Sequence, residues 1–280
     1  RTATSITLSP YLDFGEFAVG EPLTVVIPGG FDGLEPGAAF VPLNVPGNRN
    51  PVRTKVSGAA MSIDIAALSP AKDVVLTTFV GDVKVELLDG SSNAAPIDAN
   101  GCRASWVPLA GFAPVTLSFA LADNGRKNAS LTEANAWRDI RMRMTYPAVG
   151  APLAIGCSTD NFAIRPAALG FAVTDQDWQT AGLARTLNNA AFPGGTVHKA
   201  GQPFTITVTG YNALSVVTGN YAGSPKASLV SFILPALGAC PTCNLNAGAF
   251  AGAGGTVVSN TATYNEAGVF QMQAYDDTFS

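Results

Sequence analysis

The sequence predicts an all-β fold arranged as tandem β-sandwich domains, and three observations carry that prediction. Apolar and polar residues alternate with a period of two in many short runs. Turn pairs of the Asp-Gly and Asn-Gly kind punctuate those runs. Charged residues are only 13% of the 280, while Gly (29) and Pro (19) are raised. That composition withholds from long helices the Glu, Lys, Gln and Arg they draw on.

Along the chain, residues 1–45 carry two strand-like runs, Ser5–Leu8 and Leu23–Ile27, which either complete the first sandwich or end a preceding domain. Met61, Ile63 and Ile65 then alternate with Ser62 and Asp64, and Val83, Val85 and Leu87 with Lys84 and Glu86. A third run is Val115, Leu117, Phe119 and Leu121, and a fourth is Ile140, Met142, Met144 and Tyr146. In the second half Phe204, Ile206 and Val208 alternate with threonines, and Ala227–Leu234 and Val269–Tyr275 continue the pattern. Asp89-Gly90, Asn100-Gly101, Asn124-Gly125, Gly194-Gly195 and Gly254-Gly255 supply the turns. Only Leu131–Trp137 reads as a short helical turn, with Ser130 or Thr132 as cap ahead of Glu133.

A weak internal repeat divides the chain. Met61-Ser62-Ile63 followed by Phe79-Val80-Gly81 resembles Phe204-Thr205-Ile206 followed by Tyr221-Ala222-Gly223. This order is the one expected of immunoglobulin-like modules in series, so the expected domains are 46–175 and 176–280, with 1–45 as an N-terminal β segment.

Composition also bounds function. Net charge is −4 and no basic stripe exists, which argues against nucleic acid as a partner. No run approaches the roughly 18 apolar residues of a membrane helix, so no membrane insertion is expected in this stretch. The chain begins at Arg1 and ends in strand-like sequence, and we read it as an internal or processed piece of a longer exported protein. Four cysteines permit three pairings, and spacing favours Cys102–Cys157 and Cys240–Cys243 as disulfides of an oxidising compartment.

Several runs resemble a family of bacterial surface proteins. They are Cys157-Ser158-Thr159-Asp160-Asn161-Phe162-Ala163-Ile164-Arg165-Pro166, Asn50-Pro51-Val52-Arg53-Thr54-Lys55, Ala136-Trp137-Arg138-Asp139-Ile140-Arg141-Met142-Arg143, and Asp177-Trp178-Gln179-Thr180-Ala181-Gly182. Together they resemble the MshQ-like proteins of type IV, mannose-sensitive haemagglutinin pilus loci, over roughly residues 45 to 280. The resemblance implies export to the bacterial cell surface and association with a pilus. It brings no catalytic residues with it.

His198 is the one histidine, so a Ser–His–Asp triad would have to use it, yet no Gly-x-Ser-x-Gly elbow accompanies it. Cys240-Pro241-Thr242-Cys243 has redox spacing, but loop sequence follows where a thioredoxin-type motif needs a helix. Calcium is the one candidate cofactor, with Asp175 and Asp177 at the domain junction as candidate ligands. Arg138, Arg141 and Arg143 are candidates for an anion-binding or acidic-glycan stripe, the plainer alternative being a solvated face paired across strands. Of the three tryptophans, Trp178 is the candidate sugar platform, whereas Trp106 near Cys102 reads as core packing on a disulfide.

The function expected is therefore a non-catalytic extracellular module of a pilus-associated protein, an adhesin or adhesin stalk. Its expected partners are other pilus or cell-surface proteins, glycans, or itself. The rival expectation is a filament or sheath subunit joined through β-strand edges.

Overall fold

The computed structural model describes residues 27–176, 180, 182–188, 197–234 and 243–279. The expected strands Ser5–Leu8 and Leu23–Ile27 fall almost wholly outside them. In chain order the first strands are β1 (Gly30–Leu34), β2 (Lys55–Val56), β3 (Ala60–Leu68), β4 (Gly81–Asp89), β5 (Val107–Pro108) and β6 (Val115–Phe119). Then come β7 (Arg126–Thr132), β8 (Trp137–Tyr146), β9 (Ala154–Cys157), β10 (Phe162–Arg165), β11 (Ala168–Gln176) and β12 (Ala184–Thr186). The last are β13 (Phe204–Tyr211), β14 (Lys226–Leu234), β15 (Ala251–Ala253), β16 (Thr256–Ala262) and β17 (Val269–Tyr275). The protein is all-β with several sheets, an arrangement that fits a β-sandwich.

Each alternating run forms a strand. In β3, Met61, Ile63 and Ile65 are buried while Ala60 and Ser62 are exposed. The run from Val115 stops short: β6 ends at Phe119, and Leu121–Asp123 makes a 3-10 turn in which the Ala120 amide donates to Asp123 Oδ2 at 2.7 Å. The helical turn expected over Leu131–Trp137 is absent. β7 continues to Thr132 and β8 begins at Trp137, leaving a four-residue connection in which the Asn135 amide donates to Glu133 Oε1 at 2.9 Å. Thr132 and Glu133 read as a helix cap because a cap and a tight strand connection use the same side-chain-to-backbone bonds.

Among the described residues two compact units emerge: those within 27–52, 62–130 and 141–161 form the first, and those within 53–61, 131–140 and 162–279 the second. The division passes within β3, β7 and β8. In the first unit β1 pairs antiparallel with β3, from Gly30↔Leu68 to Leu34↔Asp64. β4 takes β6 antiparallel from Gly81↔Phe119, and β8 takes β9 antiparallel from Arg143↔Cys157. Buried Phe79 stacks edge-on against Phe31, Phe119 and Tyr146, with centroids 5.1–5.7 Å apart. β9 closes against β1 so tightly that a Cβ on Gly156 would fall 2.3 Å from the Phe31 carbonyl oxygen.

In the second unit β11, β13 and β16 are successive antiparallel neighbours, with β12 on β11 and β15 on β16. β14 and β17 form a separate two-stranded sheet. Ile206, Val208, Val257, Tyr221 and Tyr264 centre the core, and Phe270 and Met272 pack onto it partly exposed. The repeat seen in the sequence recurs as an order of elements. After β3 come the bridge Leu68↔Val75, buried Phe79 and β4; after β13 come the bridge Tyr211↔Val217, buried Tyr221 and β14.

Candidate functional site

A buried cluster of charged side chains lies in the second unit, on β11, β12 and the approach to β13. Asp175 on β11 has a side chain only 1% exposed. Arg185 on β12, directly opposite it in the ladder, donates Nε to Oδ1 at 3.0 Å and Nη2 to Oδ2 at 2.7 Å. His198 places Nδ1 2.7 Å from the same Oδ2 and Nε2 2.9 Å from the Gln202 carbonyl oxygen. Its ring meets Phe204 edge-on, centroids 5.3 Å apart. Burial pushes the Asp175 carboxyl up, but the bonds and charges of Arg185 and His198 outweigh that and hold it below the usual range.

That geometry decides what the cluster can do. A His–carboxylate pair resembles half of a triad, but the other ring nitrogen must face a nucleophile for general-base work. Here it faces a backbone carbonyl. The Asp175 oxygens, spent on cationic donors, are poorly placed for a calcium ion. Among the described residues no group of three or more His, Cys, Asp or Glu is placed to hold a metal. Asp177 and Trp178 lie outside the described residues, as does Cys240.

The three arginines of β8 do not share one partner. Arg138 is exposed, donates Nη2 to the Ala222 carbonyl at 3.0 Å and sits 5.6 Å from the centroid of Phe279. The β8–β10 register shifts between Phe162↔Ile140 and Ile164↔Trp137, so one extra residue of β8 separates Arg138 from the alternation of Arg141 and Arg143. Arg141 lies 5.1 Å from the Trp106 centroid and donates to the Ser158 carbonyl. Arg143 sends Nε and Nη2 to Glu86 Oε2, both at 2.9 Å. Cys102 and Cys157 are bonded, and their bridge packs with Leu88 and the 5%-exposed Trp106. Cys243 is also disulfide-bonded.

A second buried carboxylate was not found by reading the residues. Asp32 on β1 is fully buried and accepts four bonds. The Gly33 and Thr159 amides reach Oδ1 at 2.9 and 2.8 Å, and Asn50 Nδ2 and Thr159 Oγ1 reach Oδ2 at 2.8 Å each. No cation is among these partners, and burial pushes its pKa up to about 6 against the lowering effect of those bonds. The neighbouring Asp160 accepts the Val52 amide at 3.1 Å, and Ser158 Oγ accepts the Met142 amide at 3.0 Å. The signal was present without its meaning. Asn50 and Thr159 lie in Asn50–Lys55 and Cys157–Pro166, two of the runs singled out in the sequence, and in this fold both runs reach Asp32. No protein-family model matches this chain, and neither a curated protein nor a solved structure matches it.

Proposed function

We propose that this chain is a non-catalytic module of an exported, MshQ-like, pilus-associated surface protein, built from immunoglobulin-like sandwiches and acting as adhesin or adhesin stalk. The observation that carries the reading is where the reactive side chains go. Arg185 and His198 both bond Asp175, Arg143 holds Glu86, and Asp32 is closed in by four donors. These are ties of a scaffold, and none presents a free base or nucleophile. The Cys102–Cys157 bridge supports an oxidising location. The shared order of elements in the two units supports the immunoglobulin-like reading, because short strands with alternating patterning, repeated in one order, are what tandem sandwiches of that kind supply.

The test is a glycan-array and whole-cell binding assay on residues 1–280, with and without calcium and after reduction, alongside fractionation of the native bacterium. Surface exposure with oxidised cysteines is expected. Specific binding lost on reduction would make the chain adhesive itself, and no binding would make it a stalk. A cytoplasmic protein with reduced thiols, or turnover of a glycan, would sink the reading.

A further inference from the structure

In the first unit β4 and β5 pair at their ends, Leu88↔Pro108 and Asp89↔Val107. Strands paired that way need only about two to five residues to join them. The chain instead makes a long excursion over residues 90–106. Connections of that length inside a compact unit are uncommon unless they carry a function. This one is held in shape. Ile97 bridges to Arg103, the Asp98 amide donates to the Cys102 carbonyl at 2.8 Å, and Ser105 Oγ donates to the Ser92 carbonyl at 2.7 Å. The Cys102–Cys157 bridge then ties the excursion to β9.

At the end of the excursion, donors and positive charge are in excess. Trp106 is 5% exposed, and the guanidinium carbons of Arg103 and Arg141 lie 5.9 and 5.1 Å from its ring centroid. Arg103 donates Nη1 to the Ala95 carbonyl, and among the described residues it meets no carboxylate. Its Nε and the indole Nε1 of Trp106 are buried with no acceptor among those residues. The one carboxylate of the excursion, Asp98, is turned to the Asn100 and Cys102 amides at 2.9 and 2.8 Å. Buried donors without acceptors are costly, and two guanidinium groups on one indole repel each other. An oxyanion answers both costs at once.

We propose that residues 90–106 together with Arg141 form a binding site for the acidic group of a polysaccharide, a carboxylate or a sulfate ester, held by the Arg103 fork beside the Trp106 indole N–H. Arg103 is only half-buried, so rotation about its outer bonds turns the fork onto an anion arriving from solvent. Ser91, Ser92 and Asn93 are exposed in the same excursion and supply hydroxyl and amide partners for sugar hydroxyls. The choice of a glycan rests on the surface-module reading; the anion site itself rests on the geometry around Trp106.

The test is a titration of the whole chain, isotopically labelled at its three tryptophan indoles, followed by nuclear magnetic resonance. Oligogalacturonate is the carboxylate probe, a sulfated oligosaccharide the sulfate probe, and dextran the neutral control. The indole signal that Trp106→Phe removes should shift saturably with at least one acidic probe, less so in added salt, and not with dextran. Arg103→Gln should weaken that binding at least about tenfold, whereas Arg49→Gln, at an exposed position outside the excursion, should leave it unchanged. No saturable shift with either acidic probe would overturn the proposal and leave a stalk standing. Equal weakening in both variants would overturn it too, by showing unspecific charge attraction. Binding of neutral glycans alone would overturn this site while keeping an adhesin, and a cytoplasmic location would sink the surface reading without touching a measured anion shift. Should Arg103→Gln not fold, the wild-type titration decides alone.

Discussion

Asp175 shows what a single buried charge contributes here. Its carboxylate answers a guanidinium whose side chain is 19% exposed and an imidazole at 16%. Replacing it by Asn would leave the guanidinium without its counter-charge and the imidazole without its carboxylate partner. Breaking a buried pair from one side is far more damaging than its net worth suggests, so Asp175→Asn should lose about 2–3 kcal/mol, the partners' exposure placing it at the low end. Urea unfolding would read this as a lower midpoint at unchanged slope. An unchanged midpoint would mean that the cluster holds nothing together. Tyr221 makes a smaller version of the case. Its hydroxyl donates to Asp276 Oδ2 at 2.8 Å from a ring with no exposed surface, and burial, followed by that carboxylate, raises its pKa. Tyr221→Phe should remove about 1–2 kcal/mol, measured the same way, because a hydrogen bond to a charged group is lost without a cavity.

At the scale of elements, the disulfide and the corner it serves are the clearest test. Cys102 and Cys157 are separated by 55 residues, and closing a loop of that length restricts the unfolded chain by about 4 kcal/mol in the chain-entropy model. Replacing both by serine should lower stability by a similar amount, and a loss under about 1 kcal/mol would show that the model fails here. Next to Cys157, Gly156 lets β9 lie on the Phe31 backbone. Gly156→Ala should cost about 1–3 kcal/mol, since the obstacle is backbone and cannot swing aside. The strands themselves were legible because burial on one face writes a period of two into sequence, as in β3 and β13. The Cys102–Cys157 bridge was legible from spacing. What stayed hidden has a shared cause, in that it depends on residues far apart in the chain. Asp32 lies in β1, a strand that no alternating run announces, and its partners Asn50 and Thr159 are 18 and 127 residues away. The Asp175–Arg185 pair crosses a ladder that alternation does not specify.

At the scale of the molecule, buried carboxylates pull stability in opposite directions with pH. Asp32 titrates near 6 when folded and near 3.8 when unfolded. Between those values the folded protein holds a proton that the unfolded chain has released, so stability falls as pH rises through the window and is level above it. The span is on the order of 3 kcal/mol. Asp175 and Asp123 are held below the ordinary value, the latter first by the Ala120 amide and then by Lys127. Their contribution is present above the ordinary carboxylate range and is lost as pH falls below it. The net charge of −4 at neutral pH also shrinks toward a pI near 4.9, which relieves self-repulsion. All three effects place the stability maximum in mildly acidic solution, between about pH 4 and 6. A melting temperature recorded in dilute solution should therefore be higher at about pH 5 than at pH 8. Asp32→Asn should be less stable throughout, because its new amide faces the Asn50 amide, yet it should lose most of that acid preference. If the variant keeps the full difference between the two pH values, the carboxyl of Asp32 is not its source.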